Sequence, residues 1–481
     1  MKKFFLLKIS VLMIIFLFFI TTSCNVSRIS LESISPESRA LHMPAFTLTA
    51  TGAGFDQGAE IVVGEKAMVT NYVSSTELNC IVPSGDLSVS SQTNNNISGI
   101  SGDKQSISVF VRNSNGKESE PIDLELTDDP LFLSPLQISS AVTESYNPKI
   151  AVDGNKNLYV VFERYDSSLK KYYVSIIKSS DKGTSWSSPV DIFTSDEKCY
   201  NPGIAIGSDN RISVIFYMIR LYYSCSTDQG ETWSSPVSIS DDMNYPLKSD
   251  IAVDYLNGIN ILWVQNVSTE NHIYFRRSSD GGDSFSIRID ASEEWNNYGT
   301  LYQPSLDTDD HGGVFAAWKA WPNYASKYAS VYTNYSLNSG VSWGSQDTRF
   351  GVTSSPDIES SPNGRVFLVL SSSFLPFQDR IVLLKSNSEK TAWNYVTTVT
   401  GEEEGYYPKM KIDSIGNIDM IFLRSLKYYF TRSIDDGESW STPSAIVEKA
   451  SSIDMAIDNE GNIYIVYELS QSGGMLAFTR S

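Results

Sequence analysis

The residues best suited to chemistry are aromatic side chains in segments that do not repeat elsewhere in the chain. Trp321 and Tyr324 lie three residues apart in a Trp-Pro-Asn-Tyr segment, and Trp318 precedes them. Trp295 and Tyr298 lie in a second segment of this kind. Aromatic rings in surface loops offer flat faces against which sugar rings or peptide side chains pack. These five residues are therefore candidates for a ligand-binding surface.

A tyrosine recurs a few residues before several of the strands that the sequence predicts. Its copies are Tyr146, Tyr200, Tyr245, Tyr302 and Tyr407. In a regular arrangement these rings would circle one mouth of a central channel and form an aromatic platform for sugars or a peptide. Alternatively, each ring wedges between neighbouring repeats with its hydroxyl bonded to the backbone, because a residue repeated in every unit usually serves the unit.

Charged residues in the same group of loops could hold polar groups of a ligand. The candidates are Glu163, Arg164 and Arg424. The chain has no Walker loop, no His-Glu-x-x-His zinc motif and no nucleophile elbow. Residues 307–312 begin like a calcium loop, but Trp318 stands where the closing glutamate would be, so we expect a plain turn. We therefore assign no catalytic residue, no metal and no cofactor.

One eight-residue motif recurs at roughly even spacing and would hold such loops in place. It reads Ser-x-Asp-x-Gly-x-Ser/Thr-Trp, with some variation between copies and a degenerate copy at residues 386–393. The aspartate accepts backbone N–H groups within a turn, the glycine supplies a positive φ angle, and the ring packs between sheets. The residues with this structural role are Asp181, Trp186, Asp228, Trp233, Asp280, Phe285, Asp435 and Trp440.

The motif lies within a repeated unit of four predicted strands. Most units begin with a form of Pro-x-Ile-Ala-Val-Asp, and the motif follows the third strand. Such a unit is one blade of a β-propeller. Seven first strands predict seven blades over residues 131–481, and six is the alternative if the weak fifth unit is not a full blade. Residues 131–139 resemble a fourth strand, and we expect them to complete the last unit and close the ring.

The repeat resembles the Asp-box (BNR) repeat of the sialidase superfamily, which implies an all-β propeller. Catalytic members pair a tyrosine nucleophile with a glutamate, use an aspartate as acid/base, and clamp the substrate carboxylate with three arginines. One of those arginines lies in a Phe/Tyr-Arg-Ile-Pro motif of an early inner strand. This chain lacks the motif, and none of its seven predicted inner strands contains an arginine.

These departures favour a non-catalytic protein that presents one loop face of its propeller to a glycan or protein ligand. A sialidase-type exo-glycoside hydrolase is one alternative, and a structural or assembly scaffold is another. The resemblance alone does not decide among them, because a shared fold does not carry activity.

A second domain is predicted at residues 41–127, after a polar tether at residues 24–40. Its short alternating strands and turn residues are typical of a small β-sandwich. The segment resembles the IPT/TIG immunoglobulin-like family in Ile34-Ser-Pro36, in the Thr-Leu-Thr-Ala-Thr-Gly-x-Gly-Phe run at residues 47–55, and in Thr76-Glu-Leu-x-Cys-x-Val-Pro83. The resemblance implies a spacer or interaction module without chemistry of its own.

The first 23 residues have the features of a lipoprotein signal peptide. Three lysines precede an apolar stretch at residues 9–20 that is too short to span a membrane, and Thr21-Thr22-Ser23-Cys24 follows. We expect cleavage before Cys24 and a lipid on its thiol, with a plain signal peptide or short anchor as the alternative. The protein would then be anchored in the bacterial cell envelope, at the outer membrane or the cell surface.

The charge of the chain excludes several partners. Lys and Arg number 37 and Asp and Glu number 56, for a net charge of −19. Such an acidic chain lacks the positive field that nucleic acids and anionic lipid surfaces require, so we expect membrane contact only through the lipid anchor. The remaining Cys80, Cys199 and Cys225 are an odd number and are expected to be small buried residues without a disulfide framework.

Overall fold

In the computed structural model, the described residues are 29–40, 46–82, 105–127, 132–139, 143–240, 248–267, 270–292, 300–321, 329–344, 346–373, 379–469 and 474–481. The predicted signal peptide, Cys24, and the candidates Tyr245, Trp295, Tyr298 and Tyr324 lie outside these ranges. None of the described residues belongs to a helix with the length and apolar character of a membrane span. The chain divides into two compact units, Met1–Pro130 and Leu131–Ser481.

The N-terminal unit contains two sheets that enclose one apolar core. In spatial order, one sheet consists of β1 (Ser30–Ser35), β3 (Phe46–Ala53), β7 (Glu77–Val82) and β6 (Thr70–Ser74). The other consists of β2 (Ser38–Ala40), β9 (Ile122–Thr127), β8 (Gln105–Arg112), β4 (Glu60–Val63) and β5 (Lys66–Ala67). Alternate residues of β7 are buried, which places Leu78 and Cys80 in the core with Ile61 and Val111 of the facing sheet. This unit is the predicted immunoglobulin-like β-sandwich, but the prediction of a tether was wrong for residues 30–40, because β1 and β2 pair with strands of the two sheets and Leu31 and Ile34 are buried in the core.

The described residues of the C-terminal unit form seven separate four-stranded antiparallel sheets, which we number in chain order of their first strands. Sheet 1 consists of β11 (Glu144–Val152), β12 (Leu158–Asp166), β13 (Lys171–Ser179) and β14 (Val190–Ser195), and sheet 2 of β15 (Tyr200–Ile206), β16 (Ile212–Tyr217), β17 (Leu221–Ser226) and β18 (Val237–Ser238). Sheet 3 consists of β19 (Lys248–Val253), β20 (Ile259–Val267), β21 (Glu270–Ser278) and β22 (Ile289–Asp290). Sheet 4 consists of β23 (Thr300–Thr308), β24 (Val314–Trp321), β25 (Ala329–Ser336) and β26 (Gln346–Val352).

Sheet 5 consists of β27 (Asp357–Ser360), β28 (Val366–Ser371), β29 (Ile381–Ser386) and β30 (Trp393–Thr398). Sheet 6 consists of β31 (Tyr406–Ile412), β32 (Ile418–Arg424), β33 (Lys427–Ser433) and β34 (Ser444–Glu448). Sheet 7 consists of β35 (Ala450–Ile457), β36 (Ile463–Leu469), β37 (Met475–Arg480) and β10 (Leu136–Gln137). The second strand of each sheet is almost wholly buried; every residue of β16 and of β28 is buried. Apolar residues therefore face both sides of these strands, which places a core between each pair of sheets. The architecture is a β-propeller, and the predicted all-β fold class is confirmed.

Sheet 7 takes its outer strand from the start of the C-terminal unit. In this sheet Leu136 of β10 lies opposite Phe478 of β37. The N–H of Leu133 also donates to the carbonyl of Arg480 at 2.9 Å. A segment that precedes sheet 1 and the last strand of the chain thus belong to one sheet, which ties the two ends of the unit together.

The eight-residue motifs form the turns between third and fourth strands. In sheet 2, Asp228 Oδ1 accepts hydrogen bonds from Ser226 Oγ at 2.7 Å and from the N–H of Thr232 at 2.9 Å. In sheet 4, Asn338 Oδ1 accepts the two corresponding bonds at 2.8 and 2.9 Å. A neutral amide therefore satisfies this turn in the same way as a carboxylate.

Each of these turns also packs against the third strand of the preceding sheet. Trp186 of sheet 1 contacts Phe478 of sheet 7 edge-on, with the ring centroids 5.1 Å apart. Phe285 of sheet 3 contacts Tyr223 of sheet 2 in the same way at 5.2 Å. A Cβ added to Gly183 would lie 2.2 Å from the Phe478 ring, so glycine is required there by the close approach as well as by its φ of +85°.

Substitutions at two glycines distinguish the cost of a positive φ angle from the cost of the close approach to the Phe478 ring. Gly364 has a φ of +78°, and a Cβ added there would meet nothing within 4 Å. We expect Gly364→Ala to lower the free energy of unfolding by about 1 kcal/mol, the cost of the left-handed backbone alone. Gly183→Ala should lower it by about 3 kcal/mol because the ring must also move. Equal losses in urea unfolding followed by tryptophan fluorescence would show that the packing against Phe478 is not tight.

The acid sensitivity of the motif turns can be tested at Asp228. Hydrogen bonds from Thr232 and Ser226 lower the pKa of Asp228 to about 2. A lowered pKa stabilises the fold above the ordinary pKa, and this contribution is lost as the pH falls from about 4 towards 2. We expect Asp228→Asn to match the wild-type Tm at pH 7 and to lose less stability between pH 4 and pH 2. Asp283→Asn is the control, because it removes a carboxylate from a motif turn but leaves the aspartate that accepts the turn's hydrogen bonds. Its Tm should depend on pH as that of the wild type does.

Candidate functional site

The first strands of all seven sheets line one cavity of about 830 Å³. A cavity of this volume is large enough for a small ligand or part of a polymer. The residues along these strands form three successive levels, which we call the mouth ring, the middle ring and the deep ring.

The mouth ring contains one polar residue from each sheet. In four of them the backbone has a φ angle between 47° and 51° at a shift in strand register, so the strand begins with a β-bulge. The members are Asn147, Asn201, Lys248, Gln303, Ser355, Tyr407 and Ser452. Amides, hydroxyls and an ammonium group at one opening can hydrogen-bond a polar ligand.

The middle ring lies two residues further along each strand and joins neighbouring sheets. Asp250 of sheet 3 accepts a hydrogen bond from the N–H of Leu306 in sheet 4 at 2.9 Å. Asp357 of sheet 5 accepts one from the N–H of Met410 in sheet 6 at 2.7 Å. Asp454 makes the equivalent bond from sheet 7 to sheet 1. The members are Lys149, Gly203, Asp250, Ser305, Asp357, Lys409 and Asp454.

The deep ring is charged on one side only. Sheets 4, 5 and 6 contribute Asp307, Glu359 and Lys411, whereas the other four sheets contribute alanine. Glu359 is paired with Lys411, and Asp307 accepts a hydrogen bond from the N–H of Ser360 at 2.6 Å. Burial raises the pKa of Asp307 and of Glu359, and the Lys411 ammonium opposes that effect. These groups satisfy one another, so they belong to the structure of the channel.

Glu163, a predicted ligand-binding candidate, is a buried link between sheets. It is 4% exposed, and its Oε1 accepts hydrogen bonds from Asn147 Nδ2 and from the N–H of Asn201, both at 2.7 Å. Burial raises the pKa of Glu163, against those hydrogen bonds and nearby lysines. Glu468 has the corresponding position in sheet 7 and accepts the N–H of Asn147 at 3.2 Å. Both carboxylates bind the bulge of the next sheet.

The repeated tyrosine occupies one register in four sheets. Tyr146, Tyr200, Tyr302 and Tyr406 each pair with the same position of the second strand. Tyr407, the predicted member of this set, lies one position later and belongs to the mouth ring instead. The spacing Tyr-x-Pro, which all four aligned tyrosines share, is the signal that gives the correct register.

These tyrosines differ in exposure, so the two interpretations apply to different copies. Tyr200 is half-buried and packs against the core between sheets 2 and 3. Tyr146 is half-buried, its hydroxyl donates to Glu144 Oε2 at 2.7 Å, and burial raises its pKa to about 12. Tyr302 and Tyr407 are 38% and 51% exposed. The first two act as wedges, and the last two are open to a ligand.

Trp318, another predicted contact residue, lies in the core. It is 2% exposed and packs between sheets 3 and 4 with Leu301 and Ala320. Successive residues of β24 face opposite sides, so the next residues on the other side are Lys319 and Trp321. Trp321 is 36% exposed at the end of the strand. The prediction was wrong for Trp318 because it treated the end of a strand as a loop.

Both arginine candidates are paired with acidic side chains. Arg164 Nη2 donates to Asp191 Oδ1 at 2.7 Å, and its guanidinium lies over the Tyr173 ring at 4.0 Å from the centroid. Arg424 is paired with Glu403. Within the described part of the chain, no arginine lines the cavity. Neither candidate therefore lies where a ligand in the channel would meet it.

Three potential metal ligands lie together in the turn between β23 and β24. Single ligand atoms of Asp309, Asp310 and His311 are within 4.8 Å of one another. However, Asp309 Oδ1 accepts the N–H groups of His311 and Gly313 at 2.9 and 2.6 Å, and its Oδ2 is paired with Lys390. The carboxylate of Asp309 is thus used by the turn itself, which accounts for the segment.

Comparison with known families identifies the N-terminal unit. The IPT/TIG domain family matches residues 22–124, so this unit contains an IPT/TIG domain, as its resemblance indicated. No curated protein matches the chain.

Comparison with solved structures identifies propellers of low sequence identity. A polysaccharide lyase, an ulvan lyase, is 9% identical, with a TM-score of 0.50 over 71% of this chain and 95% of its own. A protein of unknown function from Dyadobacter fermentans is 13% identical, with a TM-score of 0.45 over 73% of this chain and 100% of its own. A Hadza microbial sialidase is 12% identical, with a TM-score of 0.43 over 91% and 92%. The likeness to the ulvan lyase supports the fold alone.

The linking role of Glu163 predicts different effects for two substitutions. Glu163→Ala should lower the free energy of unfolding by about 3 kcal/mol, because two buried donors lose their acceptor. Glu163→Gln keeps an oxygen acceptor and removes a buried charge, so it should cost less than about 1 kcal/mol. Because a raised pKa disfavours the ionised form in the fold, the stability of Glu163→Gln relative to wild type should rise as the pH increases from 4 to 7. Equal losses in denaturant titrations of both variants would contradict the linking role.

Proposed function

We propose that this protein is a non-catalytic glycan-binding protein that binds its ligand at the mouth of the propeller channel. The observation that carries the proposal is the polar mouth ring together with exposed aromatic rings. Tyr407 belongs to the ring, and Tyr302 and Trp321 lie at the same end of sheet 4. Sugars have apolar ring faces edged with hydroxyl groups, so aromatic rings beside amides and hydroxyls match their chemistry.

The state of the ionisable groups supports binding rather than catalysis. The middle-ring carboxylates accept backbone N–H groups of neighbouring sheets, and Glu163 is buried by the same kind of contact. A general acid or nucleophile must instead reach the substrate. Neutral polar groups therefore provide most of the mouth.

The rest of the chain fits a role at the cell envelope. We propose that Cys24 carries a lipid that anchors the protein at the outer membrane or cell surface, and that the IPT/TIG domain acts as a spacer. The net charge of −19 disfavours nucleic acids and direct contact with anionic lipids as partners.

A sialidase-type glycosidase is the second candidate, and one contact favours it. The hydroxyl of Tyr146 donates to Glu144 at 2.7 Å, which resembles the pairing of a tyrosine nucleophile with a glutamate. Against this, the pKa of Tyr146 is raised to about 12 by burial and by surrounding carboxylates, which disfavours the nucleophilic tyrosinate. Arginines that would bind a substrate carboxylate do not line the described cavity.

The proposal predicts that exposed aromatic residues at the mouth dominate glycan affinity. After a glycan array has identified ligands of the wild-type protein, Trp321→Ala and Tyr407→Ala should each weaken binding by about tenfold or more in calorimetric titrations, because central aromatic contacts dominate binding energy. Tyr395→Ala is the matched control, since Tyr395 is 51% exposed on the outer strand of sheet 5. Its affinity should equal that of wild type.

Two outcomes would contradict this proposal. Unchanged affinity of both mouth variants would place the glycan elsewhere, and an array without any bound glycan would favour a scaffold role. Turnover of a fluorogenic sialoside that Tyr146→Phe abolishes would establish the glycosidase instead.

A further inference from the structure

Lys319 has an environment unlike that of the lysines in the middle and deep rings. Lys409 is paired with Asp357 at 3.2 Å, Lys149 with Asp454 at 3.5 Å, and Lys411 with Glu359. The Lys319 ammonium instead donates to the backbone carbonyl of Thr353 at 3.0 Å. In the described ranges no carboxylate forms an ion pair with it.

The position of Lys319 on its strand makes the lack of a carboxylate partner among the described residues unusual. Lys319 stands at the position of the second strand that Glu163 and Glu468 occupy in sheets 1 and 7, where each carboxylate reaches across to the next sheet. In sheet 4 this position holds a cation, which binds the carbonyl of Thr353 in the segment that follows β26. An ammonium group has three donors, and the carbonyl uses one of them. Burial lowers the pKa of Lys319, and no acidic group of the described residues opposes that effect, so an anion at this position would relieve the cost of the buried charge.

Two exposed aromatic rings lie on the same face as Lys319. Tyr302 is directly opposite Lys319 in the strand pair, and Trp321 follows two residues later on β24. Paired residues and residues two apart share one face of a sheet, and a diagonal pair is within reach of large side chains. The opposite face, with Leu301 and Ala320, is buried. An ammonium group is thus placed beside two rings that are open to solvent.

We propose that Tyr302, Lys319 and Trp321 form a subsite for a saccharide that carries a carboxylate on its sugar ring, a hexuronate. The inference rests on the proposed glycan-binding function and defines its ligand class. The aromatic rings pack against the faces of the sugars, and the Lys319 ammonium binds one carboxylate oxygen. A single lysine offers a point charge rather than the two-pronged contact of arginine, so one acidic group is bound at a time.

The net charge of the protein restricts the charge density of the saccharides that can approach it. With a net charge of −19, the protein repels densely charged polymers, such as highly sulfated chains, as they approach. Charges separated by more than about 8 Å are largely screened at physiological ionic strength, so a sugar with a single carboxylate is tolerated. An acidic peptide would supply the carboxylate without the flat, hydroxylated ring that the exposed aromatic pair fits.

The test compares acidic oligosaccharides with their carboxyl-reduced counterparts on the full chain. The probes are hyaluronan fragments, in which a neutral sugar separates the carboxylates, and xylo-oligosaccharides that carry a single glucuronate, and each reduced form differs only in having a neutral hydroxymethyl group. We expect at least one acidic probe to bind about tenfold or more tightly than its reduced form, because hydrogen bonds to charged groups are among the strong ones. Lys319→Met should abolish this preference while leaving the affinity for the reduced form within about twofold of wild type.

Two further variants keep the outcome interpretable. Lys319→Arg retains the charge and should retain most of the preference, which a purely structural role for Lys319 would not predict. Trp321→Ala should weaken the acidic and reduced probes by the same factor. Because circular dichroism and Tm report folding separately, a variant that fails to fold is recognised and the comparison then rests on Lys319→Arg and the wild type.

The results separate this inference from the function on which it rests. If wild type binds both forms equally and only Trp321→Ala loses affinity, glycan binding stands and the carboxylate subsite is wrong. If no probe of either form binds, the hexuronate subsite is wrong, and the glycan array alone then decides the broader function. Binding of an acidic peptide that competes with the oligosaccharide and depends on Lys319 but not on Trp321 would also overturn the subsite.

Discussion

Among the described residues, the seven sheets of the C-terminal unit share no extended backbone ladder, and backbone bonds join neighbouring sheets at isolated places, such as the bridge between Val352 of sheet 4 and Ser372 beside sheet 5. Side chains therefore supply many of the polar contacts that hold each sheet to the next. At the channel, Asp250, Asp357 and Asp454 reach across to backbone N–H groups of the following sheet. In the turns between third and fourth strands, the motif glycine and aromatic ring pack against the preceding sheet. Hydrogen bonds to charged groups contribute about 1.5–3 kcal/mol each, so these contacts are large beside the marginal stability of a domain.

This requirement separates structural residues from those available to a ligand. A carboxylate that accepts the N–H of a neighbouring sheet serves the contact between sheets, and this applies to Glu163 as it does to the middle-ring aspartates. The residues left for binding are those with few internal partners. Tyr407 and Trp321 are exposed, and Lys319 has a carbonyl as its partner at the position that carries a carboxylate, Glu163 or Glu468, in sheets 1 and 7. The candidate site is thus the part of the channel mouth that cohesion between sheets does not use.

The sequence predicted the fold class because its strongest signal is local. The motif turn combines an Asp or Asn acceptor, a glycine with positive φ and an aromatic ring within eight residues, and this combination marks the end of the third strand in five of the seven sheets. The site was harder to predict because it depends on register. Trp318 and Trp321 are three residues apart, yet one is in the core and the other is exposed, and only the alternation along β24 separates them. Four of the seven mouth-ring residues lie at β-bulges, and each is the middle residue of a Tyr-x-Pro segment, a signal that the sequence-based prediction did not use.

At sheets 4 and 5, the contacts that hold the sheets together can be compared with the proposed binding role of Lys319. The first strand of sheet 5, Asp357–Ser360, is the shortest of the seven in the described chain, and the motif of this sheet is the degenerate copy. Sheet 4 compensates with side chains, since Ser305 accepts the N–H of Ile358 at 3.1 Å and Asp307 that of Ser360. The contact from Lys319 reaches the carbonyl of Thr353, which directly follows β26 of sheet 4 and lies ahead of sheet 5. Both side-chain links involve buried groups independent of Lys319, so the cohesion of sheets 4 and 5 does not depend on its ammonium, and the charge remains available to a ligand.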